Sequence, residues 1–281
     1  MEVLFVRIFR YKKTLCLVIL LIVIIIRHII NINTSFYLPD YKYRSVKSEI
    51  EQSEKNIDYK KVSKYTGLSP YAVKEMVDNG DLEKVLKINE IYFEKPEFEK
   101  DYIAFPITAQ EQNADSIMPM ADLKKGDILI TYNTHTFDWR HGHAAIVVDD
   151  AGNVILEHMA IGETSVLSRA NKWSYYPGFI ILRHPDRNIA ESAANYAREN
   201  LVDIPYSIFA GFGDKDMSDN DNIKSSHCSH IVWQAYKAVG CDIDSNRGVI
   251  VTPEDIAKSN ELNVVQIYGI NPEDYDNRFL Y

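Results

Sequence analysis

Cysteine is scarce: three residues in a chain of 281. Cys16 lies inside an apolar run, not at its end, which does not match a lipid-attachment site. Cys228 and Cys241 flank a predicted helix. At about 1.5 Å rise per residue their Cα atoms stand about 20 Å apart, against the roughly 4.4–6.8 Å that a disulfide needs. A disulfide framework is excluded, and both are expected as free thiols. The body also lacks a basic face. The formal net charge is −9, and residues 1–27 hold five basic groups (Arg7, Arg10, Lys12, Lys13, Arg27) against Glu2 alone, so the remainder nets −13. Binding the phosphate backbone needs positive charge, so nucleic acid is excluded as a partner. There are no internal repeats and no low-complexity tract. Asp214 to Asp221 lacks the glycine and glutamate placement of an EF-hand. His141-x-His143 and His227-Cys228-x-His230 offer nitrogen and sulfur donors, but their spacing fits no recognised zinc pattern. No metal and no cofactor are expected.

What is present begins with Thr14–Ile26, TLCLVILLIVIII, extended past Arg27 by Ile29, Ile30 and Ile32. A bilayer core takes roughly 20 apolar residues. With basic residues ahead of it and no small-x-small cleavage site behind it, this stretch is expected as an uncleaved single-pass anchor with the body outside the cell membrane. Four segments follow: 1–33 as anchor, 34–58 as a polar linker, 59–121 as a helical accessory segment and 122–281 as the main domain. Ser69-Pro70 reads as an N-cap and first helical position, Asn79-Gly80 as a turn, and Leu82, Val85 and Leu86 as a second helical stripe from which Ile88 departs.

From Asp122 the period becomes that of strands: 126–132, 143–149, 153–158, 164–167 and 178–183. Asp186 then caps a helix over 188–199 whose small face is Ala190, Ala193, Ala194 and Ala197. A helix from Pro253 and a strand over 264–268 complete an α+β domain with a mostly antiparallel sheet.

The stretch with chemistry is Ser225–Gly240. Ser225 or Ser226 is the expected N-cap, apolar residues recur at helical spacing from Ile231 to Val239, and Gly240 is a stop. Cys228 therefore falls in the first turn of a helix. There unpaired N–H groups and the positive end of the macrodipole favour a thiolate, which can attack a carbonyl at neutral pH. Such a nucleophile needs a base and a group that orients the base. His143 opens a strong strand, whereas His141 lies in the polar Thr134–His141 loop. On the next strand Glu157 and His158 point to opposite faces. A three-residue turn over 150–152 puts Glu157 on the His143 face; two or four residues would put His158 there.

Gly126-Asp127-Ile128-Leu129, Gly142-His143-Ala144-Ala145-Ile146-Val147, the strand ending at Glu157, and Cys228-Ser229 opening a helix resemble the YiiX/YebB-like permuted papain-fold amidases, nearest to their YycO-like branch. These are relatives of the NlpC-type cell-wall hydrolases. In those relatives the Cys helix precedes the His strand; here the order is reversed, as in the permuted branch. The resemblance spans residues 122–268. It implies a thiol amidase or peptidase with Cys228 as nucleophile, His143 as base, Glu157 as third member and Tyr206 lining the site as an oxyanion aid. With an extracellular body, the expected substrate is an amide or peptide such as a peptidoglycan fragment. A non-catalytic binding module and a thioester acyltransferase are the rival expectations.

Overall fold

The computed structural model describes residues 15, 17–22, 36–51, 57–104, 107–113, 117–136, 139–212 and 223–279. The chain divides into two compact units, Met1–Ser35 and Phe36–Tyr281. In the first unit, Leu15 and residues 17–22 are helical and exposed. Among the described residues no helix is long and apolar enough to cross a membrane. This overturns the expectation of a single-pass membrane protein with an extracellular body. The rest of the expected anchor lies outside the described residues.

The second unit is mixed α+β, and both of its sheets are antiparallel. Helices α1 (Lys47–Glu51), α2 (Tyr59–Lys64), α3 (Pro70–Asp78) and α4 (Leu82–Ile91) come first. Ser69 caps α3 through Oγ, which accepts from Ala72 N at 3.1 Å. On α4 the buried stripe is Val85, Ile88 and Ile91, with Ile88 fully buried. Leu82 and Leu86, expected on this stripe with Val85, are partly buried against the same core, and Ile88 joins it rather than departing from it. Residues 36–51, expected as spacer, lie against the body: the Phe36 and Tyr268 rings meet edge to face at 5.5 Å, and Val46 and Ile50 are buried.

Strands β1 (Phe98–Ala104) and β2 (Thr108–Asn113) pair with β4 (Thr134–Thr136) and β5 (Trp139–Arg140) in the order β1-β2-β4-β5. This sheet is absent from the sequence reading, which has helix up to 121 and a loop over 134–141. FEKDYIA and TAQEQN are too polar and too rich in Glu and Lys for strand propensity to reveal them.

The main sheet runs β10-β9-β3-β6-β7-β8. Its strands are β3 (Ile128–Thr131), β6 (His143–Val147), β7 (Val154–Glu157), β8 (Val166–Arg169), β9 (Phe179–Arg183) and β10 (Asn263–Tyr268). Alternation sorts its side chains into two cores. Ile128, Ile130, Ala144, Ile146 and Leu156 face α5 (Arg187–Asn200), α6 (Cys228–Ala238) and α7 (Pro253–Ala257). Leu129, Ala145, Val147 and Ile155 face α1–α4. The sheet is therefore sandwiched between helical layers, which explains why β3, β6 and β9 are buried along their whole length. Helix α5 packs through Ala190, Ala193, Ala194 and Ala197, all fully buried. Small side chains let it approach the turn before β3. There Gly126 has φ +87°, and a Cβ would stand 2.4 Å from Ala190 O.

Candidate active site

Helix α6 begins at Cys228, and its N-cap is His227, not Ser225 or Ser226: the His227 Nδ1 accepts from His230 N at 3.4 Å. Ser226 is drawn elsewhere, its Oγ lying 3.0 Å from His230 Nδ1 and donating to Gln234 Oε1 at 2.9 Å. Residues 228–236 are all buried, so α6 is a central helix with no solvent face over its first two turns. At N1, the Cys228 N–H has no intrahelical acceptor, and the helix dipole adds positive potential at the sulfur.

The structure brings Cys228 and His143 close enough that each shifts the titration of the other. His143 is the first residue of β6. Its Nε2 lies 3.1 Å from Glu157 Oε2, which leaves Nδ1 for the thiol. The register explains the choice of Glu157. Ala145 pairs with Glu157 and Val147 with Ile155, so the β6–β7 turn is centred on Ala151 and Glu157 shares the His143 face. Ring contacts hold the imidazole in place: Trp173 stacks on His143 at 5.5 Å with an interplanar angle of 18°. Glu157, fully buried, also accepts from Ser168 Oγ and Lys172 Nζ.

These contacts set the charge state. Burial alone would raise the Cys228 thiol and lower the His143 imidazole. Hydrogen bonds and opposite charge outweigh it in both, so Cys228 is held well below the usual thiol value and His143 is pushed up to about 9. Burial likewise works against the Glu157 carboxylate, yet hydrogen bonds from His143 and the charges of His143 and Lys172 hold it down at about 2. Both shifts favour a thiolate–imidazolium pair backed by a carboxylate.

Other histidines surround this pair in different roles. His141 is committed at both nitrogens: Nδ1 donates to Gly142 O at 2.7 Å, and Nε2 accepts from Thr136 Oγ1 at 2.8 Å. Burial lowers its pKa, and it remains neutral. His227 interacts with the Cys228 sulfur and helps hold the thiolate. Because its Nδ1 accepts the capping bond, its proton is assigned to Nε2, a buried atom with no hydrogen-bond partner among the described residues. His158 meets Tyr206 edge to face at 4.8 Å and is kept neutral by burial, its pKa lowered to about 4. Tyr206 is joined to Ser226 by a parallel bridge, which carries it beside the Cys228 turn. Burial, with a smaller effect from Cys228, raises its phenol, so it keeps its proton as a donor.

The sequence reading missed His227, Ser168, Lys172 and Trp173. Only His227 carried a signal, standing immediately before the cysteine. Nothing in spacing marks Lys172, since it reaches Glu157 from a 3₁₀ segment over Ala170–Tyr175.

Fold and site together define an α+β protein with antiparallel sheets and a buried Cys–His–Glu constellation at a helix start. No family model matches the chain, and no curated protein matches it. Among solved structures, the crystal structure of metalloprotein yiiX from Escherichia coli O157:H7 is similar at a TM-score of 0.37 and 11% sequence identity, over 51% of this chain and 97% of that one. A likeness this slight is consistent with the YiiX resemblance and carries no argument of its own.

Proposed function

We propose that the chain is a cysteine hydrolase that cleaves amide bonds, on a permuted papain-like fold in which the His strand precedes the Cys helix. The observation that supports this reading is Cys228 at the start of α6 beside His143, whose imidazole is held from its other side by Glu157 at 3.1 Å. The Cys228 thiolate attacks the carbonyl carbon, forming the C–S bond and moving charge to oxygen. Helix-start N–H groups, His227 Nε2–H and the Tyr206 hydroxyl supply donors for that oxyanion. As the tetrahedral intermediate collapses, the C–N bond breaks and the His143 Nδ1 proton goes to the leaving amine. Neutral His143 then takes a proton from water, whose oxygen attacks the thioester and releases the acid. Glu157 keeps the imidazole in the productive tautomer and balances its charge.

Expecting wall peptides depends on a membrane anchor, which the described residues do not support. One observation favours a second reading, acyl transfer through the same thioester. Phe209 and Phe212 are 71% and 65% exposed in the turn after Tyr206, an apolar rim suited to an acyl chain.

Alkylation of Cys228 against pH tests the proposal. Fast reaction well below pH 8, lost in His143→Ala, together with turnover of amide substrates, is expected. A rate that rises only near about 8.5, the free-thiol value, and ignores His143 would sink it. Acyl appearing on an added amine or alcohol in preference to water would favour the transferase.

A further inference from the structure

We propose that His184, Cys241 and Glu261 form a binding site for a divalent metal of the zinc class, separate from the Cys228 centre. Their imidazole, thiol and carboxylate ligand atoms lie within 4.8 Å of one another. The fold holds them there from three directions. Strands β9 and β10 pair antiparallel with Arg183 opposite Asn263. His184, just past the end of β9, and Glu261, just ahead of β10, are therefore set side by side by the ladder. Cys241 arrives from the end of α6 opposite to Cys228. Gly240, at φ +86°, stops that helix, and the Cys241 N–H returns to Tyr236 O at 3.0 Å.

The donor set points to the metal. One nitrogen, one sulfur and one carboxylate oxygen suit Zn²⁺; Mg²⁺ and Ca²⁺ take oxygen alone. Three protein ligands leave the fourth tetrahedral position to water. Two ligands are rigid and buried, His184 at 4% exposure and Cys241 at 7%, while Glu261 is exposed and gives the ion a way in. The exposed carboxylate also supplies the movement that shrinks the triangle to the roughly 3.5 Å edge of a zinc tetrahedron.

His184 carries the outer-shell contact that zinc histidines use. Its Nδ1 lies 3.1 Å from Asp186 O and 3.0 Å from Asp186 N. Donation from Nδ1–H to Asp186 O leaves the Nε2 lone pair to the metal; accepting from Asp186 N places the proton on Nε2 in the empty state. Ring contact with Tyr236 at 6.0 Å limits rotation of the imidazole. The positions 184, 241 and 261 fall in no sequence pattern, and only pairing of β9 with β10 beside the α6 terminus brings them together.

The test titrates the full chain with Co²⁺ alone. One equivalent is expected to bind with a sulfur-to-cobalt charge-transfer band. The band should vanish in C241S and persist in C228S. Glu261→Gln, a change at an exposed side chain that leaves the fold intact, should weaken Co²⁺ binding at least about tenfold, as should His184→Gln. A band lost in C228S and kept in C241S would assign the metal to the other thiol and overturn the proposal. So would failure of the unaltered chain to bind, or affinity unchanged in E261Q and H184Q.

Discussion

His143 and Glu157 are bonded at 3.1 Å across β6 and β7 although they are not ladder partners: Ala145 is the residue opposite Glu157, and His143 reaches it diagonally. A diagonal neighbour on the same face is about 7–8 Å away at Cα, a span that Glu and His side chains bridge. Two neighbouring strands of the sheet thus contribute both the imidazole and the carboxylate that sets its tautomer.

The charge states set a pH profile. Catalysis needs Cys228 ionised and His143 protonated. It should rise with the low Cys228 titration on the acid side and fall through about pH 9 as His143 loses its proton. Glu157→Gln withdraws the carboxylate, so the alkaline limb should move down toward the ordinary 6.5 and turnover should drop on the order of 10²–10⁴-fold. An alkaline limb that stays near 9 in that variant would separate Glu157 from the imidazole.

Glu157 also contributes to acid resistance. Its folded value of about 2 lies below the ordinary 4.5, so its stabilisation is complete above about pH 4.5 and is lost as pH falls through 2. Lys172→Met removes one of the groups holding it down. The acid unfolding midpoint should shift to higher pH, while stability at pH 7 to 8 changes modestly because Lys172 is 36% exposed. Circular dichroism against pH for both chains decides this.

His227 caps α6 and also lowers the Cys228 thiol, two effects that substitution can separate. Serine retains the first and lacks the second. His227→Ser should keep the melting temperature near that of the parent yet slow alkylation at pH 6, whereas His227→Ala should also lose about 1 kcal/mol of stability. Equal alkylation rates in parent and H227S would confine His227 to capping.

Gly126→Ala tests the contact between the Ala face of α5 and the start of β3. Positive φ and a Cβ 2.4 Å from Ala190 O act together. The loss should exceed the roughly 1–3 kcal/mol of backbone strain alone. Denaturant midpoints measure it, and a neutral result would mean that α5 is free to retreat.

Most of the main sheet, α3 and α5 were legible because their patterns are strong: β-branched runs, an alanine face and caps at Ser69 and Asp186. The pairing of His143 with Glu157 was half legible. Alternation put Glu157 and His158 on opposite faces, but only the turn decides between them. The β1-β2-β4-β5 sheet was invisible because its strands carry polar residues on both faces. Ser168 and Lys172 were invisible for another reason, since they converge on Glu157 from a neighbouring strand and a 3₁₀ turn with no repeating interval. For the N-cap, position outweighed residue type: histidine took the place expected for serine.

The turn between β6 and β7 spans Asp149 to Asn153, on the surface, with Asp149 Oδ1 accepting from Val154 N at 2.7 Å. Surface turns ordinarily tolerate gain or loss of a residue through evolution. This one has little such freedom. Adding one residue would leave the hydrophobic strands with an apolar side chain for either core, yet would rotate Glu157 away from His143 and bring Leu156 or His158 in its place. Length variation here should therefore come in steps of two, while neighbouring loops drift freely, and a lineage that broke that parity would keep a folded protein without its base-orienting carboxylate.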